Sequence, residues 1–302
     1  MITSLKRVAA LVVVAGLALG ACSSSATPSP SKAATSSAGA STGTSSAVCV
    51  TGSITASGST ALQPLVDAAG KQYVTACPGA QIQVQGGGSG TGLTAVSQGT
   101  VQIGDSDVTA ESKLATPDAA ALVDHIVAIQ GWVMVNNTGI TGVTNLTTAQ
   151  AKDIWTGKVT NWKDVGGPDL PIVLILRPAS SGTRATFKKI VLGGADEAAG
   201  TALTEDSNGA VSAAVSKTAG STSVVGFAYY QANKAGLTAL QLDGVDATVD
   251  NMAAGTYKLQ ANGHMYSKGQ PDGLTKAFLD YMLSTDVQKT LIPSLFYAPV
   301  IK

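Results

Sequence analysis

The sequence predicts an α/β fold in which the short strands of a mostly parallel sheet alternate with helices. Runs with an apolar residue at every second position, such as 81–85, have the period of a strand. Longer segments such as 62–74 have helical spacing, and turns of Gly, Ser and Thr join the two kinds of segment. Because neighbouring parallel strands need a crossover connection, this repeated order of strand, turn and helix indicates a largely parallel sheet.

The first half of the chain contains the clearest alternation. The period-two run at 81–85 stops at a series of glycines, and 125–135 is a longer stretch with the composition of a strand. The elements predicted here are strands at 53–56, 81–85, 101–104 and 125–135, and helices at 62–74 and 93–98.

The second half begins after Asn136 with a capped helix start, because Thr147 is followed three positions later by Gln150. The run at 172–176 has the composition of a buried strand, and 274–283 is amphipathic with helical spacing. The other elements predicted here are helices at 183–191 and 207–218, strands at 223–230, 257–259 and 264–266, and a compact turn at 161–167.

Three turns have the composition of an anion-binding site. They lie at 57–61, 86–92 and 177–184, each after a predicted strand, and each combines Gly with Ser or Thr. The third also carries Arg177 and leads into a predicted helix start, where free backbone amides and the helix dipole both favour negative charge. Ligands of open α/β sheets bind at the carboxyl ends of strands, so we expect the three turns to serve one small oxyanion.

The first 21 residues have the pattern of an export signal and are not expected to belong to the fold. Lys6 and Arg7 precede an apolar run at 8–19, which is short of the ~20 residues that a membrane-spanning helix needs. Small residues then precede Cys22, a spacing that resembles a bacterial lipobox. We therefore expect a lipoprotein signal peptide at 1–21, lipidation of Cys22, and a flexible tether rich in Ser, Thr, Ala and Pro at 22–47.

Composition and charge exclude several kinds of partner. The chain has 19 basic and 19 acidic residues, and aromatic residues make up 5% of it. Nothing in such a sequence provides the broad basic surface with interleaved aromatic residues that nucleic acids require. An anion must therefore be bound by local geometry rather than by bulk charge.

The cysteines agree with an extracytoplasmic location, where disulfides can form. Beyond Cys22 the chain has Cys49, at the start of the first strand pattern, and Cys77, after the first predicted helix. These two form either a disulfide or a pair of separate buried thiols. No Cys-x-x-Cys pair and no cluster of His and Cys indicates a metal site, and no cofactor is expected.

Taken together, the motifs resemble the phosphate-binding proteins of ABC-type phosphate uptake systems, over nearly all of residues 50–300. The motifs in the first part of the chain are Gly58-Ser59-Thr60, the glycine-rich run 86–92 and Ile103-Gly104-Asp105-Ser106-Asp107. Those in the second part are Leu146-Thr147-x-x-Gln150, Ile154-Trp155-x-Gly157, Asn161-Trp162-x-x-Val165-Gly166-Gly167 and the stretch 177–184. Each is weak alone, but together they occur in the order of that family.

The resemblance implies a type II periplasmic-binding-protein fold of two lobes, each a mostly parallel sheet flanked by helices, with phosphate held in the cleft between them. Lobe I would comprise 48–128 plus 262–302, and lobe II would comprise 129–261. It also implies that the protein is a monomeric receptor without enzymatic activity, which delivers inorganic phosphate to a membrane permease from the outer face of the cell membrane. The phosphate-binding residues it implies are Thr60, Ala61, Ser89, Asp107, Arg177, Ser181, Gly182 and Thr183.

At two places the alignment of this sequence with the family pattern is not straightforward. Ala61 stands where some members have a bulky apolar residue, although a contact through its backbone amide would survive the change. Asp105 and Asp107 both lie in the third motif, and Asp107 is favoured because it follows Ser106 as in the family. A carboxylate repels an anion unless a proton lies between them, so Asp107 would accept a hydrogen bond from protonated phosphate and reject sulfate.

Three alternatives remain open from the sequence. The same fold could bind another oxyanion such as sulfate, molybdate or tungstate, or the turns could belong to a secreted phosphate-ester hydrolase or to a surface interaction protein. A hydrolase would need a nucleophile, a base or metals. The two histidines, His125 and His264, lie within apolar strand patterns and are expected to be structural. The tryptophans at 132, 155 and 162 are expected to pack in the core.

Overall fold

A computed structural model describes residues 47–198 and 203–301 of the chain. The predicted signal peptide, the lipidation site at Cys22 and residues 22–46 of the predicted tether lie outside the described residues. The described residues belong to one compact unit. No helix in the described part of this unit is both long enough and apolar enough to span a membrane.

Most strands of the described residues belong to one mixed sheet. The strands in chain order are β1 (Gly52–Gly58), β2 (Ala80–Gln85), β3 (Ile103–Ser106), β4 (Leu122–Asn137), β5 (Asn145–Leu146), β6 (Val173–Leu176), β7 (Leu203–Thr204), β8 (Ser221–Gly226), β9 (Leu237–Ala239), β10 (Gln241–Leu242) and β11 (Gln260–Lys268).

Helices connect these strands and cover both faces of the sheet. The α-helices are α1 (Gln63–Ala76), α2 (Ser89–Ser97), α3 (Thr116–Ala120), α4 (Thr148–Trp155), α5 (Gly182–Ile190), α6 (Asn208–Lys217), α7 (Phe227–Ala232), α8 (Val249–Ala253), α9 (Gly273–Met282) and α10 (Ile292–Ser294). Short 3₁₀ turns lie at Ala110–Ser112 and Trp162–Val165, and a π turn lies at Val287–Leu291.

The main sheet has the order β2-β1-β3-β11-β4-β8-β6-β7, with β9 added beside β4, and β5 and β10 form a separate pair. Its outer pairs are parallel, as the sequence predicts: β1 pairs with β2 and β3, and β6 pairs with β7 and β8. The central pairs β3–β11, β11–β4 and β4–β8 are antiparallel. The α/β class is confirmed, with antiparallel strands at the centre of the sheet.

The length of β4 explains why one sheet runs through the whole unit. This strand has 16 residues, about 50 Å at the usual rise of a strand. Its first part, Leu122 to Gly131, pairs with β11, and its last part, Trp132 to Asn136, pairs with β8. One strand therefore belongs to both halves of the sheet.

Two large hydrophobic clusters pack against these two halves. One contains Trp155 and Phe187, whose ring centroids lie 4.9 Å apart, and almost all of its buried residues fall between Trp132 and Leu259. The other surrounds Tyr73 and Phe278, and draws on the two ends of the unit. The tryptophans at 132, 155 and 162 are all buried, which confirms their predicted place in the core.

Most predicted elements are confirmed to within a few residues, but two are wrong. The strand predicted at 223–230 ends at Gly226, and Phe227–Ala232 forms α7. The segment 257–259 is not a strand, and β11 begins only at Gln260. Tyr257 is nevertheless buried, and its hydroxyl donates to the carbonyl of Trp132. The capped start of α4 is confirmed, since Thr147 and Gln150 form the reciprocal capping box.

A disulfide ties the start of the ordered chain to the end of α1. The structure joins Cys49 and Cys77, whose Cα atoms lie 5.1 Å apart, across 28 residues of sequence. The cross-link anchors the segment before β1 against the cluster that contains Tyr73.

Candidate anion-binding site

The turns that follow β1, β2 and β6 meet at one place, as their positions at the ends of parallel strands predict. The amide of Gly88 donates to the carbonyl of Gly58 at 2.8 Å, which joins the first two turns. The amide of Gly90 donates to the carbonyl of Ser180 at 2.9 Å, which joins the second turn to the third. Three glycine-hydroxyl turns from distant parts of the sequence therefore form a single cluster.

Asp107, directly after β3, lies at the centre of this cluster and is 2% exposed. Ser59 donates to its Oδ1 atom, and Gln130 Nε2 donates to the same oxygen at 3.0 Å. Thr183 Oγ1 donates to Oδ2 at 3.1 Å. Both carboxylate oxygens thus accept hydrogen bonds, which is the role that the ionised form can fill.

A second buried carboxyl lies two residues earlier. Both oxygens of Asp105 are buried without a hydrogen-bond partner among the described residues. Burial, together with the negative charge of Asp107, raises the pKa of Asp105 to about 8. Burial also raises the pKa of Asp107, but hydrogen bonds from Ser59 and Thr183 and the charge of Arg177 oppose that effect. Both carboxyls thus have raised pKa values, and of the two, Asp107 is the one whose ionised form is favoured by hydrogen bonds and by the charge of Arg177.

Arg177 supplies the positive charge of the cluster. It follows β6 directly, is 4% exposed, and donates from Nη2 to the carbonyl of Asp206 at 2.9 Å. Its Nε and Nη1 atoms are buried and have no hydrogen-bond partner in the described part of the chain. A buried donor without a partner is costly, and the planar fork of a guanidinium matches the oxygens of a tetrahedral anion.

Ser181 and Gly182 form the start of α5 beside these groups. Ser181 caps the helix, because its hydroxyl accepts from the amide of Arg184 at 3.2 Å. Gly182 allows the start of α5 to approach Ser89 and Asp107 closely. A Cβ atom there would overlap Ser89 Oγ and would lie 2.7 Å from the Cβ of Asp107.

The other predicted site residues also lie in this cluster. Ser89 accepts from the amide of Asp107 at 3.0 Å. Thr60 accepts from the side chain of Asn208 at 2.9 Å. The amide of Ala61 donates to Ser59 Oγ at 3.1 Å. All eight residues that the resemblance implied are thus brought to one place, and their contact with a ligand stays a prediction.

The histidines lie elsewhere. His264 Nδ1 lies 2.9 Å from both carboxylate oxygens of Asp124, and His125 Nε2 lies 3.2 Å from the hydroxyl of Ser267. Within residues 47–198 and 203–301, no group of three His, Cys, Asp or Glu side chains is arranged to hold a metal ion.

Comparison with known proteins agrees with this geometry. A family model described as a PBP superfamily domain matches residues 30–286. The chain is also 48% identical over 249 residues to the phosphate-binding protein PstS of Bacillus subtilis, covering 82% of this chain and 81% of that protein. The chain belongs to the PstS family of the PBP superfamily.

Solved structures of proteins named for phosphate transport share the fold. A Clostridium perfringens protein, whose crystal structure holds bound phosphate, matches with a TM-score of 0.74 and 28% identity. An ABC-type phosphate transport receptor of Vibrio cholerae matches with a TM-score of 0.64 and 30% identity. Each match covers 82% of this chain and 100% of the other. The predicted periplasmic-binding-protein fold is confirmed.

Membership of the PstS family does not by itself identify the residues that surround the predicted contacts. The sequence interpretation missed Gln130 and Asn208, and it assigned Trp132 to packing alone. It also missed Lys113, whose Nζ donates to the carbonyl of Ala179 at 2.7 Å. Gln130 and Trp132 share one face of β4 because they are two positions apart, and that spacing is the only signal the sequence offered.

Proposed function

We propose that this protein is an extracytoplasmic receptor that binds inorganic phosphate and delivers it to an ABC-type permease. The PstS relative in Bacillus subtilis is named a phosphate-binding protein, and the Vibrio cholerae neighbour is named a phosphate transport receptor. Relatives with these names support both the ligand and the transport role.

The observation that carries the choice of phosphate is the buried carboxylate of Asp107, which lies within a ring of hydrogen-bond donors. Within the described residues, two donor atoms of Arg177 have no hydrogen-bond partner, and Ser59, Gln130 and Thr183 all donate toward Asp107. An anion with four acceptor oxygens and no proton would be repelled by Asp107. Phosphate keeps at least one proton at neutral pH and can donate it to that carboxylate, whereas sulfate, molybdate and tungstate lack it.

The ligand contacts would come from two lobes, 48–128 plus 262–302 and 129–261. Asp107 belongs to the first segment and Arg177 to the second, so phosphate bound to both would favour the closed arrangement. The division of the hydrophobic core into two clusters supports these lobes, and the long strand β4 would provide a connection between them.

The proposal includes anchoring of the protein, as a monomer, to the outer face of the membrane by lipid at Cys22, with 22–47 as the tether. It includes no enzymatic activity, cofactor or metal. Mass spectrometry of the membrane-extracted protein tests the anchor by its lipid mass on Cys22. A Cys22→Ala variant that stays on the membrane would contradict it.

Calorimetry of the compact unit Gly43–Lys302, after bound phosphate has been removed by partial unfolding and dialysis, tests the ligand. We expect one phosphate per chain, competition by arsenate, which also carries a proton, and no heat with sulfate or molybdate. Equal affinity for phosphate and sulfate would indicate a receptor for another oxyanion. Turnover of a phosphate ester without stoichiometric phosphate binding would indicate a hydrolase instead.

A further inference from the structure

We propose that Trp132 is a positioning residue that holds the Thr183 hydroxyl as a hydrogen-bond donor to phosphate, an inference that rests on the proposed function. The indole Nε1 of Trp132 donates to Thr183 Oγ1 at 3.0 Å, and both side chains are buried. An indole nitrogen can only donate. The direction of this hydrogen bond is therefore unambiguous.

The consequence follows from the hydrogen-bonding capacity of a hydroxyl, which has one proton and accepts through its lone pairs. Because Thr183 accepts from Trp132, its own proton is directed away from the indole. That proton points to Asp107 Oδ2, 3.1 Å away, beside the predicted position of the ligand. The hydroxyl is thus already oriented to donate to an acceptor oxygen, and little reorientation is needed for a phosphate oxygen to receive it.

The same arrangement occurs at Thr60, on the other side of the cluster. Thr60 Oγ1 accepts from Asn208 twice, from its Nδ2 atom at 2.9 Å and from its backbone amide at 3.3 Å. The amide of Gly226 donates to Asn208 Oδ1 at 2.9 Å, which fixes the orientation of the Asn208 side chain. With two donors directed at its oxygen, Thr60 has only its proton to offer a ligand.

The nitrogen atoms that donate to these hydroxyl oxygens therefore determine the direction in which each hydroxyl donates its own proton. Ser59 follows the same rule, since it accepts from the amides of Ala61 and Leu62 and donates to Asp107. The hydroxyls act as donors, and Asp107 is left as the acceptor for the phosphate proton. Replacing Trp132 by Phe removes one of these nitrogen donors without altering charge.

A double-mutant cycle tests the role of Trp132, with phosphate affinity measured by calorimetry on the Gly43–Lys302 unit. Trp132→Phe keeps a buried aromatic ring but removes the indole donor, and we expect it to weaken phosphate binding about five- to tenfold. Thr183→Val removes the hydroxyl at constant shape. In the Thr183→Val background, Trp132→Phe should change affinity by less than about twofold, because the group through which it acts is gone.

Trp162→Phe is the matched control. Trp162 is as fully buried as Trp132, and its Nε1 also makes one hydrogen bond, to the carbonyl of Gly220 at 2.9 Å. Both single variants should lower thermal stability, but Trp162→Phe should bind phosphate like the wild type.

Equal phosphate affinity of the two tryptophan variants would overturn the positioning role. So would an undiminished effect of Trp132→Phe in the Thr183→Val background. A wild type that binds no phosphate would instead overturn the proposed function, and this inference with it.

Discussion

The hydroxyl of Thr183 donates to Asp107 Oδ2 at 3.1 Å, although 76 residues separate the two along the chain. Asp107 follows β3, and Thr183 lies in the first turn of α5. The contact joins segments predicted to belong to different lobes. It also places the Asp107 carboxylate where both segments can reach the same ligand.

Replacing Asp107 by Asn should relax the exclusion of sulfate. The Asp107→Asn variant would present an amide donor in place of an acceptor, and it would remove a negative charge that opposes a fully deprotonated anion. We expect measurable sulfate binding and phosphate binding at least tenfold weaker than in the wild type. Calorimetry with both anions measures the two effects.

Asp105→Asn is the matched control for this prediction, because it removes the other buried carboxyl of the same motif. It should leave the rejection of sulfate intact. If Asp105→Asn admits sulfate and Asp107→Asn does not, the two carboxyls have been assigned the wrong way round.

Asp105 should make stability depend on pH. Its pKa is raised from 3.8 to about 8, so the folded state binds its proton more tightly than the unfolded state does. The resulting stabilisation is fully present below pH 3.8 and is lost as the pH rises through about 8. At ~1.4 kcal/mol per unit, the change amounts to several kcal/mol.

The Asp105→Asn variant should therefore lose less stability between about pH 5 and about pH 9 than the wild type does. Urea unfolding at both values measures the difference, and phosphate should be absent so that ligand binding does not contribute. Parallel pH profiles of the two proteins would show that Asp105 is ionised in the folded state across this range.

Gly182→Ala should prevent the close approach of α5 to Asp107. The added methyl group would overlap Ser89 Oγ and lie 2.7 Å from the Cβ of Asp107. We expect phosphate affinity to fall by at least tenfold, as measured by calorimetry, because the cluster can form only if the backbone moves.

Gly209→Ala is its control, because Gly209 also lies in the first turn of a helix. A Cβ atom there meets nothing closer than the hydroxyl of Tyr229, at 3.3 Å. This variant should bind phosphate normally. Unchanged phosphate affinity in Gly182→Ala would mean that, with phosphate bound, α5 lies further from Asp107 than it does in this structure.

Removal of the disulfide should lower stability without changing phosphate affinity. A cross-link between Cys49 and Cys77 closes a loop of 28 residues, which is worth about 3–4 kcal/mol on the chain-entropy model. The Cys49→Ser/Cys77→Ser double variant should unfold at a lower temperature by calorimetry. A fall in phosphate affinity at a temperature where the variant is folded would show that the cross-link also shapes the site.

Much of the fold could be predicted because its signals are local. The alternation at Ala80–Gln85, the capping box at Thr147 and the amphipathic helix at Gly273–Met282 depend on residues within a few positions of one another. The errors occurred where distant contacts decide the conformation. Residues 227–230 have strand-like composition but form the start of α7, and Tyr257 is buried outside any strand.

The sequence by itself determined that three glycine-hydroxyl turns follow strands and suit an anion, since glycine, hydroxyl and helix start are adjacent in the chain. The direction in which each hydroxyl donates was decided only by the tertiary structure. Trp132 lies 51 residues from Thr183, and Asn208 lies 148 residues from Thr60. A hydroxyl can both donate and accept, so its role depends on partners that only folding brings beside it.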